Sequence, residues 1–320
     1  MSRILLTAAG SISALPAMER YRAMGHEVFA CDIYDRSWNA ASTLADGFFQ
    51  SRLATDGESY VAQMLEEVKR LQIHYLIPLT DPEVDVLSGR KADFAALGCT
   101  LCTPEKDVAT LLRSKDEMNR FLEKNLDVTA GCCTIPTWKA SGDTLPPFDF
   151  PVILKPSNGR SSQGLVVARD QQAYLAAAAL RDDYIVQPFL EGEVWCADVA
   201  RDAAGNVYSL ARREILRTTN GLGTTVEVFP GHELERACAC IAEAANIVGV
   251  VNMEFICHDG AFYFLEVNPR FSGGVGFSMA AGADFAAAML LCHRGECLPG
   301  NQSAKKCILA RESRITITRE

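Results

Sequence analysis

Two groups of polar residues in this 320-residue chain have the types and spacing for chemistry. The first is Val251-Asn252-Met253-Glu254-Phe255 followed by Phe264-Leu265-Glu266-Val267-Asn268-Pro269-Arg270-Phe271-Ser272-Gly273-Gly274. His258-Asp259-Gly260 between the two runs marks a hairpin, which would set Glu254 beside Glu266. Glu266 and Asn268 are two apart and share a strand face. Two carboxylates and an amide oxygen are a hard donor set of the kind that holds Mg2+, an ion that keeps waters and bridges nucleotide phosphates. Arg270, two residues further on, can brace a transferring phosphoryl group. The bland reading is a solvated hairpin with alternating polar residues. It does not call for Glu-x-Asn-Pro-Arg ahead of two glycines.

The second group is Val152-Ile153-Leu154-Lys155-Pro156 and the loop Ser157 to Gly164, which carries Ser161 and Ser162. Small side chains leave backbone N–H groups free to cradle phosphate oxygens, and the Lys155 ammonium would neutralise them. Alone, this could be a strand-ending lysine beside a solvated turn. Ser114-Lys115 opens an amphipathic helix. A lone surface lysine is ordinarily solvated, so Lys115 gains meaning only from its company.

The elements that must position these groups alternate along the chain. Strand signals at 3–9, 26–33 and 75–79 are separated by helical spacing at 13–25 and 59–71, the pattern of a parallel sheet with covering helices. Gly10 and Asp32 have the spacing of a dinucleotide fingerprint, but Ala8-Ala9-Gly10-Ser11-Ile12-Ser13 lacks its second and third glycines. A charged helical region spans 106–126. A Pro-rich stretch containing Pro136, Pro146 and Pro147 marks a junction. Strands then follow at 150–155, 165–168, 184–187, 194–200, 207–213, 250–257 and 261–267, with helices at 174–181 and 232–248 and a Gly/Thr loop at 218–225.

Composition removes several classes. Hydrophobic residues are 48% and charged residues 22%, with no low-complexity tract, so disorder is not a reading. Lys plus Arg is 31 against Asp plus Glu 40, a formal net charge of −9 without a basic run. Nucleic acid and anionic membrane are therefore not expected partners. The apolar run Ile4 to Ala9 is too short for a secretory signal or a membrane span, and twelve scattered cysteines then read as reduced thiols of a cytoplasmic protein. Cys99-Thr100-Leu101-Cys102 has no second pair or nearby His and reads as strand thiols.

Together these residues resemble the ATP-grasp superfamily, and most closely the short proteins similar to one ATP-grasp half of the carbamoyl-phosphate synthase large chain. The likeness runs through Ile4-Leu5-Leu6-Thr7-Ala8-Ala9-Gly10, Ile77-Pro78-Leu79-Thr80-Asp81-Pro82-Glu83, the Lys115 helix, Leu154-Lys155-Pro156 and Glu266 to Arg270. The resemblance implies an α/β and α+β ATP-grasp fold. Its parts would be a Rossmann-like N-terminal domain (1–105), a linker helix with a small lid (106–186), and a larger C-terminal domain (187–320). It implies that Lys115 and Lys155 contact the phosphates of ATP, and that the loop with Ser161, Ser162 and Gly164 closes over them. Glu254, Glu266 and Asn268 would hold Mg2+, usually two ions, with Mn2+ as a substitute. Arg270 would meet the γ-phosphate or an acyl phosphate.

Hinge backbone at Gln187, Phe189 and Leu190 would select adenine. This hinge departs from the family, placing Pro188 and Val194 where two acids are expected. Glu193 could take the ribose if the strand shifts by one. The implied activity is ligation of a carboxylate, an amino acid or small peptide-like acid, to an amine through an acyl phosphate. Arg212, Arg213 and Arg217 cluster near the expected acceptor pocket at 212–227 and 271–282, and Arg213 is the residue expected to enter it. Bicarbonate or carbamate phosphorylation and a nucleotide-binding regulator are the alternatives. A homodimer is an expectation from the family.

Overall fold

Apolar runs too short for helices build the first sheet. In a computed structural model that describes residues 1–127, 130–159, 163–299 and 304–319, β1 (Arg3–Leu6), β2 (Glu27–Asp32), β3 (Gly47–Gln50), β4 (Tyr75–Ile77) and β5 (Thr100–Leu101) pair in parallel, in the order β3-β2-β1-β4-β5. Side chains alternate across this sheet. Ile4 and Leu6 join a core with α1 (Ala14–Ala23), while Leu5 joins one with α2 (Glu58–Leu71). Beyond β4, α3 (Asp81–Leu87) starts from a capping box in which Thr80 and Glu83 satisfy each other's backbone N–H. The buried Glu83 carboxylate also takes the Thr7 hydroxyl at 2.7 Å, which ties the end of β1 to the start of α3. The short α4 (Lys91–Ala95) precedes β5.

The charged helical region is two helices, the second opening at Ser114-Lys115 as the sequence suggested. α5 (Lys106–Arg113) and α6 (Lys115–Asn125) break at Ser114, whose extended backbone lets its hydroxyl accept from Glu117 N–H at 3.2 Å. This is an N-cap, and it places Lys115 in the first turn of α6.

The second sheet is antiparallel. It orders β6 (Trp138–Lys139), β9 (Tyr184–Pro188), β7 (Val152–Pro156) and β8 (Val166–Ala168), with α7 (Gln171–Ala178) over one face. Val152, Leu154 and Val186 pack under α7. Ile153, Lys155 and Gln187 therefore look the other way.

The third sheet is the largest. Its strands are β10 (Glu193–Arg201), β11 (Val207–Arg217), β12 (Gly223–Phe229), β13 (Gly249–His258), β14 (Ala261–Asn268) and β15 (Cys307–Ala310). They run antiparallel in the order β14-β13-β10-β11-β12-β15. The loop expected at 218–225 is partly strand, because Val226 and Val228 of β12 bury their side chains in the core shared with α1. One face of this sheet, with Ala197, Met253 and Phe255, packs on α8 (Leu234–Ala244) and on α5 and α6. Leu210, Val228 and Val250 of the other face meet α9 (Val275–Ala280), α10 (Phe285–Arg294) and α1, so the first and third sheets share a core.

β9 passes into β10 through Gly192, where an added Cβ would lie 2.0 Å from the Cys257 carbonyl oxygen of β13. Only a missing side chain permits that approach. Gly192→Ala should force β10 off β13 at the hinge and cost about 1–3 kcal/mol. Urea unfolding of the variant checks this; an unchanged midpoint would remove the constraint.

Candidate functional site

The hairpin of β13 and β14 has the register the sequence suggested. Glu254 lies opposite Glu266, and Asn252 opposite Asn268. Cys196 of β10 lies opposite Glu254 on one side and Arg212 of β11 on the other. Glu266, Glu254, Cys196 and Arg212 thus form a polar row on the face turned away from α8. A bulge after Glu254, with Leu265 as the extra residue of β14, breaks the alternation there. Both Leu265 and Glu266 then line the space beside the sheet.

Two cavities meet at this row. One, of about 400 Å3, lies between the second and third sheets. The other, of about 620 Å3, lies between the third sheet and the loops after β1 and β4, with Ser11, Ser13, Thr80, Asn220 and Arg270 in its wall. Glu254, Glu266 and Gln163 line both. The first cavity is apolar at one end (Ile135, Ile153, Leu165, Ile256, Leu265) and ionic at the other (Lys115, Lys155, Glu254, Glu266). An aromatic base with a charged tail has that polarity.

Electrostatics at the ionic end are tightly balanced. Burial and the Lys115 charge lower the Lys155 ammonium to about 8, against the opposing pull of Glu266 and Glu254. Lys115 Nζ sits 2.8 Å from Glu266 Oε2 and donates to the Gly159 carbonyl at 3.0 Å. Burial, then repulsion from Glu266 and Glu214, push Glu254 up to about 7. Burial works on Glu266 in the same direction, but Lys115 and Lys155 outweigh it and hold that carboxyl below its ordinary value. Asn268 Nδ2 donates to Glu266 Oε1 at 3.2 Å and reaches Glu254 Oε1 and Asn252 Oδ1 at 3.4 Å.

The three residues expected to hold a metal are therefore together. They fit a divalent cation: the donors are hard oxygens, and a doubly charged ion would relieve the repulsion that raises Glu254. No three His, Cys, Asp or Glu side chains group in this way among the described residues, so the set depends on the Asn268 amide.

Arg270 faces the second cavity. Its Nε and Nη2 form a bidentate pair with Asp81 at 2.9 and 2.8 Å, and Nη1 donates to the Phe271 carbonyl at 3.0 Å. Asp81 is 1% exposed and sits at the N-terminus of α3. Its role was not read from the sequence. The available signal was an acid in the turn that ends a parallel strand, which is where α/β sheets place ligand-side residues.

Arg213 does not enter the site. It lies opposite Trp195 on the α8 side, pairs with Glu193 and Glu227 at 2.8 Å each, and lines neither cavity. Arg212 is the one on the site face, 1% exposed and sealed against Asp198 (2.6 Å), Ser272 (3.0 Å) and Ser278 (3.3 Å). A Cβ on Gly274 would lie 2.7 Å from its Nη2, so Arg212 shapes the turn that follows Arg270. Arg217 does line the first cavity, 2.5 Å from Glu214 and donating to the Gly221 carbonyl.

At the hinge, Gln187, Pro188, Phe189, Leu190, Glu191 and Val194 line the first cavity, and Glu193 does not. Glu193 is exposed and held by Arg213. Gly164 gives its carbonyl to the Tyr184 hydroxyl at 2.6 Å between the lining residues Gln163 and Leu165. Ser161 and Ser162 lie outside the described residues. Asp32, weighed as a ribose acid, accepts instead from Gly10 and Tyr34 N–H at 2.7 and 3.0 Å and closes its own loop. The twelve cysteines are free, and burial pushes Cys99 up to about 12. No helix among the described residues is long and apolar enough to cross a membrane.

Comparison with known proteins gives a consistent picture. A family model described as ATP-grasp in the biosynthetic pathway with Ter operon matches residues 181–314. The carbamoyl phosphate synthase large chain of Thermomicrobium roseum is 27% identical over 201 residues, 58% of this chain but 19% of that one. The biotin carboxylase domain of Hydrogenobacter thermophilus 2-oxoglutarate carboxylase, solved as a dimer with MgADP, ADP and bicarbonate, superposes with a TM-score of 0.77 at 18% identity, covering 97% of this chain and 74% of that one. The L-amino acid ligase of Bacillus licheniformis superposes at 0.71 with 14% identity, over 92% and 74%. At these identities the two structures establish the fold.

The raised Glu254 carboxyl has a consequence for stability. Between its ordinary 4.5 and about 7 the folded chain holds a proton that the unfolded chain has released. Stability therefore falls as pH rises through that window. Relative to Glu254→Gln, the wild type should lose on the order of 1–3 kcal/mol between about pH 5 and about pH 8. Millimolar Mg2+ should restore it at the higher pH. Thermal unfolding with and without Mg2+ checks this; parallel pH profiles would refute it.

Proposed function

We propose that this chain, a member of the ATP-grasp superfamily, is an ATP-dependent ligase that activates a carboxylate as an acyl phosphate and transfers the acyl group to an amine. The observation that carries this reading is the junction of the two cavities at Glu254 and Glu266. The first cavity has the polarity of a nucleotide. The second opens beside the position its terminal phosphate would take.

The chemistry follows from the leaving group. An amine cannot displace oxide from a carboxylate, because oxide leaves badly. Transfer of the γ-phosphoryl group makes phosphate the leaving group, and catalysis is then alignment plus charge neutralisation. Lys155 and Lys115 neutralise phosphate oxygens at the ionic end of the first cavity. Glu254, Glu266 and Asn268 would hold Mg2+, whose charge offsets that of the β- and γ-phosphates. Arg270, with its plane fixed by Asp81, lines the second cavity and would brace the oxygens of the acyl phosphate with its remaining N–H groups. The amine attacks the acyl carbon there, forming the new C–N bond as the C–O bond to phosphate breaks, and its proton passes to the departing phosphate or to solvent. Gln163, which lines both cavities, would help keep water from the acyl phosphate.

The arginine that suggested an amino-acid substrate is off the site. That substrate class now rests on the hydroxyl and amide lining of the second cavity and on the likeness to an L-amino acid ligase. Bicarbonate is the second reading, favoured by the likeness to a carboxylase solved with that anion and to carbamoyl phosphate synthase. The chain spans about a fifth of that synthase's length, so we assign it no two-step synthase reaction. A homodimer, as in the carboxylase domain, is part of the proposal and is read by sedimentation.

ADP release from Mg·ATP with pooled carboxylates, with and without pooled amines, tests the reaction. Release should require both pools and fall at least ~100-fold in Glu266→Gln. Release with bicarbonate alone would replace the amine reading. Tight ATP binding with no release in any arm would make the chain a nucleotide-binding regulator.

Lys155 supplies a second test. A phosphate beside it favours the ammonium, so ATP binding above about pH 8 must take up a proton. Affinity should weaken as pH rises through about 8, and Lys155→Arg should flatten the profile. Calorimetry in buffers of different ionisation enthalpy reads the proton directly; no proton uptake would take Lys155 off the phosphates.

A further inference from the structure

Lys115 holds an oxygen that the proposed metal would need. Its Nζ lies 2.8 Å from Glu266 Oε2 and donates to the Gly159 carbonyl at 3.0 Å. An ammonium has only donors, so the sense of both contacts is fixed. The pair is mostly out of water, with side-chain exposures of 11% for Lys115 and 21% for Glu266. The backbone of Lys115 is anchored in the first turn of α6, and its N–H donates to the Ser157 carbonyl at 3.1 Å. The flexible side-chain stem is what remains to carry the ammonium elsewhere. Lys115, Gly159 and Glu266 all line the first cavity. Lys155 lines the same cavity but makes no ion pair among the described residues, and it acts on Glu266 from further away.

We propose that Lys115 is a displaceable counter-ion that keeps free Mg2+ off Glu266, so that the metal site is completed only when nucleotide phosphates draw its ammonium away. The inference rests on the reading of the first cavity as the ATP site and of Glu254, Glu266 and Asn268 as metal donors. Charge decides it. At the ionic end of the cavity two carboxylates, Glu254 and Glu266, meet two ammonium groups, Lys115 and Lys155. A dication added there without another anion would have to break the Lys115–Glu266 pair. It would then stand among like charges in a place poorly screened by water. Nucleotide phosphates bring the missing negative charge. They offer the ammonium a new partner on the wall it already lines, and they leave Glu266 Oε2 to the metal that arrives with them. Lys115 thus serves twice, first as the counter-ion of Glu266 and then as a phosphate contact. Free metal meets only the Glu254 side of the row and binds weakly.

The test is Mn2+ binding to the full chain without nucleotide, at one fixed pH, read from the loss of the free ion's electron paramagnetic resonance signal. Lys115→Met keeps most of the stem and removes the charge. It should bind Mn2+ about tenfold or more tighter than wild type. Adding Glu266→Gln to it should take the gain away, which puts the metal on the freed carboxylate. Lys155→Met removes the same charge from the same cavity without breaking the Glu266 pair, and should tighten Mn2+ by much less. A general change of charge would move both lysine variants alike. Lys115→Gln, which can still reach the Gly159 carbonyl, carries the test if Lys115→Met does not fold. Equal affinity in wild type and the Lys115 variants, equal gains in the Lys115 and Lys155 variants, or a gain that survives Glu266→Gln overturns the inference. Mn·ADP titrated into wild type tests the underlying reading separately. If it binds while one of those three results is found, the nucleotide site stands and the counter-ion role is lost. If it does not bind, both fall.

Discussion

Two carboxylates side by side on neighbouring strands, both largely removed from water, are the constraint on which this molecule is organised. Burying one carboxylate without a partner costs several kcal/mol, and a second beside it adds repulsion. The arrangement persists because cations converge on it from separate parts of the chain. Lys115 arrives from the first turn of α6, Lys155 from the end of β7, and Arg270 from the turn after β14. The balance is incomplete. Glu266 is held in its ionised form, while Glu254 is pushed toward its protonated form. That asymmetry leaves the row of acids short of positive charge, which fits the divalent cation proposed for it.

The same charges couple the three sheets. The Arg270–Asp81 pair joins the β14 turn to the start of α3, whose position is set by Glu83 through Thr7 and Thr80. Lys115 binds Glu266 through its side chain, and its backbone N–H donates to Ser157 of the second sheet's loop at 3.1 Å. One residue thus ties the third sheet to the loop that would cover phosphates. A nucleotide drawing the Lys115 ammonium toward its own oxygens would loosen its contacts with Glu266 and the Gly159 carbonyl together. Arg212 works at one remove: it touches neither cavity, yet it holds Ser272 and Ser278 and so fixes the turn that carries Arg270.

Much of this was legible in the sequence because the informative contacts are local or periodic. A tight turn between two alternating strands dictates that Glu254 and Glu266 meet, and a spacing of two dictates that Asn268 shares their face. The parallel sheet followed from the alternation of short apolar runs with helical spacing. What was not legible depends on tertiary partners. Asp81 finds Arg270 across 189 positions of sequence, and nothing local to either residue announces the other. The first residues of β12 read as a loop because glycine and threonine at 221–225 look like turn residues, whereas the strand's burial comes from α1 and α9, which are distant in sequence. Thr137 looks like an unremarkable residue after a proline until Gln187 is seen against it.

Arg212 and Arg213 show how narrow the margin is. Strand parity said correctly that only one of the pair could face the site, but parity has no origin until a neighbouring strand fixes it. The origin lies in β10, where Cys196 sits between Arg212 and Glu254, and Trp195 shares the α8 side with Arg213. A clustered arginine looks like a substrate contact when its partners are unknown. Once the register is set, Arg213 is a half-buried cation on the α8 side answered by Glu193 and Glu227, and Arg212 is buried because Asp198 answers it. The same register puts Glu193 on the α8 side with Arg213, so Glu193 pairs with Arg213 and does not line the first cavity. Glu191, two residues earlier, does line it. Glu191 precedes Gly192 and lies outside β10, so the alternation of that strand does not carry it to the face of Glu193.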